Sequence, residues 1–104
     1  MRSPPPLQIE ERTDGDAVHM TLHGELDLAT TNDLRDRLCR SSARGDAVHL
    51  DLSDLEFIDA AGAGLLIRAF AYSQRHGWGL QISPRVAPQV ARVLELVGLK
   101  LPAV

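Results

Sequence analysis

Asp59-Ala60-Ala61-Gly62-Ala63-Gly64 decides how this chain is read. The apolar pair Phe57-Ile58 precedes it and Leu65-Leu66 opens a helical stripe after it, so one acidic residue and five small ones mark a passage from strand to helix. Asp59 is a plausible N-cap for that helix, and Ala60 and Ala61 are good helix formers that let its first turn pack closely. The small side chains leave backbone N–H groups open at the positive end of the helix, a surface accessible to a partner. Gly62-Ala63-Gly64 lacks the lysine or third glycine of the nucleotide loops, so close backbone packing is the plainer reading of it.

Downstream, Leu65, Leu66, Ala69, Phe70 and Ser73 lie on one stripe that ends at His76-Gly77, which makes this the longest helix. Leu80 and Ile82 flank Gln81 in a short strand, and Pro84 breaks it. Val86, Val90, Val93, Leu94 and Val97 then give the spacing of a last amphipathic helix before Gly98. Upstream, Val48, Leu50 and Leu52 alternate with His49 and Asp51 as a strand closed by Ser53-Asp54. Leu34 and Leu38 place a helix over residues 31–42, with Thr30 three residues before Asp33 in a capping-box-like arrangement. Residues 7–23 read as a hairpin, with Asp14-Gly15 at the turn and Val18, Met20 and Leu22 alternating with His19, Thr21 and His23. The predicted order is β-β-α-β-α-β-α: an α/β domain whose mixed four- or five-stranded sheet is covered by helices acting as right-handed crossovers. Pro4-Pro5-Pro6 predicts a flexible tail over residues 1–6, ahead of a domain over residues 7–104.

With 104 residues, 44% of them hydrophobic and 24% charged, the chain has the composition of one soluble globular domain. No apolar run approaches the roughly 20 residues of a membrane span, and the first residues have no signal-peptide core, so a cytoplasmic location is expected. A net charge of −3 argues against direct nucleic-acid binding. Arg35, Arg37, Arg40 and Arg44 cluster, but Asp33, Asp36 and Asp46 are interleaved with them as on a solvated helix face. Cys39 stands alone and is expected to pack on its helix, where neither a disulfide nor a cysteine zinc site is available to it within one chain.

The residues for catalysis are not set out in a recognisable pattern. His19, His23 and His49 fall on the polar side of their strands and His76 beside a helix-ending glycine, without the paired spacing of a metal site. Neither Cys39 nor Ser53 sits in a nucleophile elbow, and Asp51 and Asp54 read as strand-end caps or solvated charges. No cofactor, metal or catalytic residue is expected, and binding is the predicted mode of action.

Three stretches together resemble the STAS domain, the fold of bacterial anti-sigma factor antagonists and of the cytoplasmic tails of sulfate transporters. They are Gly24-Glu25-Leu26-Asp27 before the first helix, Asp51-Leu52-Ser53-Asp54-Leu55-Glu56-Phe57-Ile58-Asp59 running into Gly62-Ala63-Gly64-Leu65-Leu66, and Val93-Leu94-Glu95-Leu96-Val97-Gly98-Leu99 at the close. The resemblance implies a non-enzymatic antagonist that binds an anti-sigma factor of the ATP-binding serine kinase type and so frees a sigma factor. It implies a partner surface made of Asp27, Leu28, Ala29 and Thr30 with Asp59, Ala60, Ala61, Gly62, Ala63 and Gly64. In regulated members two hydroxyl residues follow the aspartate, and the first is phosphorylated. Here those positions are Ala60 and Ala61, so the residue equivalent to the phosphorylation site has no hydroxyl. The alternative that the resemblance carries is an accessory subunit of a membrane transport complex, or a stressosome-type scaffold.

Overall fold

The computed structural model describes residues 6–99. Residues 1–5 of the tail expected over residues 1–6, and residues 100–104 of the domain expected over residues 7–104, lie outside them. The elements in chain order are β1 (Leu7–Asp14), β2 (Ala17–Leu26), α1 (Thr31–Arg44), β3 (Ala47–Asp51), β4 (Leu55–Ile58), α2 (Ala60–His76), β5 (Leu80–Ile82) and α3 (Pro88–Leu96). β1 and β2 pair antiparallel from Leu7 opposite Gly24 to Asp14 opposite Ala17. Gly15 turns the chain between them with φ of 63°, the left-handed conformation that a two-residue hairpin loop demands and that glycine adopts freely.

β4 is the element that the expected order omits. Leu55 and Ile58 are both buried with Glu56 and Phe57 exposed between them, so the alternation that announces a strand is missing. Its existence follows from pairing. β3 runs parallel to β2 as far as Asp51 opposite Thr21, steps out at Leu52-Ser53-Asp54, and the chain rejoins β2 as β4 with Leu55 opposite Gly24. The step is fastened by the Asp51 carboxylate, whose Oδ1 accepts from the Ser53 backbone N–H at 2.9 Å and from its hydroxyl at 2.6 Å. The five-stranded sheet therefore has the order β1-β2-β3-β5, with β4 also on β2.

Val18, Met20 and Leu22 of β2, Val48 and Leu50 of β3, and Leu80 and Ile82 of β5 are all buried, and they meet Leu34, Leu38, Leu66, Val90 and Leu94 from the three helices. The other sides of these strands carry His19, Thr21, His23, His49 and Asp51, all half-buried, and the exposed Gln81. Helices thus cover one face of the sheet, and the opposite face is polar, with the rings of His19 and His49 stacked 4.8 Å apart across β2 and β3.

Three smaller expectations are corrected. α3 starts at Pro88, so Val86 precedes it; proline is well suited to a first helical position, where no N–H is needed. Cys39 lies on the exposed side of α1 and does not pack, because the buried stripe of that helix runs through Leu34, Leu38 and Ser41. α1 also runs two residues past Ser42 to Arg44 before Gly45 ends it. On its outer face Arg37 donates to Asp33 at 2.9 Å and to Glu11 at 3.1 Å, tying α1 to β1. The hydrogen bond to Asp33 is the main cause of its raised pKa.

Candidate docking surface

β2 and β4 are neighbours that run in the same direction and end level with each other, Leu26 opposite Ile58. The chain leaves one through Asp27-Leu28-Ala29-Thr30 into α1 and the other through Asp59 into α2. Two segments more than thirty positions apart are thereby delivered to one edge of the sheet.

The Asp59 side chain fastens them to each other. Its backbone is extended, with φ of −108° and ψ of −174°, and Oδ1 accepts from the Gly62 N–H at 2.9 Å in the manner of an N-cap. Oδ2 accepts from the Leu28 N–H at 3.2 Å in the other segment, and the Asp59 N–H donates to the Leu26 carbonyl at 3.2 Å. Gly62 allows this close approach. A Cβ there would run into the Leu26 carbonyl oxygen and come within 2.9 Å of Ile58 Cγ1.

The first segment has its own fastening. Asp27 Oδ1 accepts from the Ala29 N–H at 3.0 Å. Thr30 Oγ1 accepts from the Asp27 N–H at 2.9 Å and lies 2.9 Å from the Glu25 carbonyl, to which it donates. The capping-box role expected of Thr30 is therefore corrected: its hydroxyl turns back into the loop, its backbone is helical with φ of −115° and ψ of −9°, and its side chain caps nothing. Only its carbonyl reaches Asp33 N, at 3.3 Å.

These bonds hold the backbone and leave a surface of small and apolar side chains. Leu28 is 77% exposed, Ala29 and Ala60 are exposed, and Asp27, Thr30, Asp59, Ala61 and Gly64 are half-buried. Gly62 and Ala63 are buried, Ala63 completely, so the expectation that the Ala63 side chain faces a partner is corrected. Ala63 sits on the inner side of the first turn of α2, on the stripe continued by Leu66 and Ser73. Phe57, two residues before Asp59 and 47% exposed, adds an aromatic ring to the outer surface of β4, where the sequence alone places it only in the lead-in to the helix.

The remaining candidates stay apart from this surface in the fold. His19, His23 and His49 lie on the polar face of the sheet, where His23 is flanked by Glu10 and Asp54, each 3.4 Å from a ring nitrogen. His76 closes α2 at its other end, with Nδ1 3.0 Å from the Tyr72 carbonyl. Among the described residues no helix is long and apolar enough to cross a membrane.

The molecule is thus a mixed sheet with helices on one face and two interlocked segments at its strand ends. The chain belongs to the STAS domain family: the family described as "Mlab, STAS domain" matches residues 9–101. It is similar to the anti-sigma F factor antagonist of Paenibacillus polymyxa, at 30% identity over 95 residues, covering 89% of this chain and 80% of that protein. An anti-sigma factor antagonist from Mycobacterium paratuberculosis has the same fold, with a TM-score of 0.79 at 19% identity over 100% of this chain and 92% of the other. The anti-sigma factor antagonist SpoIIAA in its unphosphorylated form gives 0.72 at 24% identity, over 89% of this chain and 81% of the other.

Proposed function

We propose that this chain is a non-enzymatic, cytoplasmic anti-sigma factor antagonist: it binds an anti-sigma factor of the ATP-binding serine kinase type and so frees a sigma factor. The observation that carries the reading is the Asp59 carboxylate. One oxygen starts α2 and the other holds Leu28, so the two segments that the family resemblance assigns to docking form one rigid, preorganised surface. Less side-chain and loop freedom is then lost on binding. A stable complex of this sort buries about 1,600 Å² in total. The two segments must therefore be joined by the outer side of α2 and by neighbours such as Phe57.

Ala60 is the first residue of α2 and is exposed, next to the carboxylate of Asp59. A phosphate at that position would bring close to two negative charges and a bulky group onto the docking surface beside an existing carboxylate, which is how such a modification expels a partner. Alanine has no hydroxyl to accept it, and Ala61 offers none either. In this reading the protein is held in its binding-competent form, and it acts by occupancy alone.

The test is a titration against the ATP-binding anti-sigma factors encoded by the same genome, with and without ATP, beside an Ala60→Ser variant. Tight binding that persists in ATP, with the serine variant phosphorylated and released, establishes the locked antagonist. Absence of binding by both proteins to every candidate overturns it, and copurification with a transport ATPase or a large scaffold then assigns the accessory-subunit or stressosome-type role.

A further inference from the structure

We propose that the cleft between α1 and α2 binds an aliphatic carboxylate, a single free acyl chain lying between the helices with its headgroup on Arg35 and Arg68. α1 and α2 start from the neighbouring strand ends of β2 and β4 and pack against each other, leaving a cleft of about 370 Å³. That volume is within the range of roughly 300–1,000 Å³ typical of small-molecule sites.

The chemistry of the cleft is graded along its length. Leu38 and Leu65 supply aliphatic wall, and Trp78, just beyond the C-terminal end of α2, closes the far end. The indole N–H is already committed to the Asp46 carbonyl at 2.7 Å, so Trp78 brings only apolar ring to the cleft. Tyr72 packs edge-on against that ring, with centroids 6.3 Å apart. The charge is at the other end. Arg35 is in the second turn of α1, and Arg68 reaches back toward the start of α2, with Nη1 3.2 Å from where a Cβ on Gly64 would lie. Among the described residues neither arginine has a carboxylate within 4.0 Å, whereas Arg37 has two.

Two unpaired guanidiniums beside an apolar trough are complementary to a molecule with one anionic end and one hydrocarbon body. The guanidinium fork matches the planar carboxylate, and the trough removes the chain from water. A nucleotide or sugar would bring many polar groups to walls that have few partners for them, at a desolvation cost.

Trp78 is the only tryptophan and Cys39, which also lines the cleft, the only cysteine, so the protein carries its own two reporters. The experiment titrates the full chain with decanoate below its micelle concentration, following Trp78 emission and the rate at which iodoacetamide alkylates Cys39. Expected are a saturable emission shift and slowed alkylation at the same midpoint. Decanol and an Arg35→Gln/Arg68→Gln variant should each bind roughly tenfold or more weakly, the size of a lost charge-assisted hydrogen bond. Both arginines are exposed, so that variant leaves the core untouched. An Ala69→Leu variant, which fills the trough, should lose the response. Four results overturn the proposal: no saturable change, equal binding of decanol, binding unaffected in the arginine variant, or a response to anionic vesicles with none to monomeric decanoate. Reporter signals that change with protein concentration before any probe is added would assign the cleft to a second copy of the chain and overturn it as well.

Discussion

The Asp59 carboxylate accepts two hydrogen bonds from two directions, and its replacements separate them. Asp59→Ala removes the cap and the link to Leu28 together and should cost about 1–2 kcal/mol, read as a lower urea midpoint. Asp59→Asn keeps one acceptor for Gly62 but presents an amide donor to one of the two N–H groups, so it should weaken partner binding more than it weakens folding. Gly62→Ala places a methyl group against the Leu26 carbonyl and should destabilise by roughly 1–3 kcal/mol, with the thermal midpoint as the measure. The capping bond of Asp59 is legible in the sequence because donor and acceptor are three residues apart. The bond to Leu28 spans 31 positions, and only the fold brings its ends together. The burial of Ala63 had a readable signal: carrying the stripe of Leu66, Phe70 and Ser73 back by three residues arrives at it. Its small size hid that signal, since alanine suits an open helix mouth and a close-packed one alike.

At the scale of elements, periodic segments are readable and corrective ones are not. β2, β3, α1 and α2 announce themselves by alternation or helical stripe, and each is found within a few residues of its predicted bounds. β4 has two buried residues three apart, a spacing that belongs to neither period, and becomes a strand because β2 has unpaired length left beyond Thr21. The loop before α1 is a similar case. Its composition fits a capping box, but the Thr30 hydroxyl finds two partners inside the loop and the helix starts without it. Thr30→Val should therefore cost about 1 kcal/mol and speed exchange of the Asp27 amide, which loses its acceptor, while leaving the start of α1 protected. Faster exchange over the first turn of α1 alone would instead restore the capping role.

For the whole molecule, a docking surface separates from the core when its residues are exposed and their removal leaves folding unchanged. Leu28 meets the first condition at 77% exposure. Leu28→Asp is expected to leave the thermal midpoint within about 0.5 kcal/mol of the parent in stability, the usual range for surface changes. It should weaken binding to the anti-sigma factor by about tenfold or more, the effect of truncating an interface anchor, as measured by calorimetry. The sheet order has a further consequence for how the molecule comes apart. β2 is bonded along one side to β1 and along the other to β3 and then β4, so it cannot be released until three partners let go, while β5 is a three-residue strand on the outer side of β3. Local opening should start at β5 and reach β2 last, giving a gradient of deuterium uptake across the sheet that rises outward from a slow central spine.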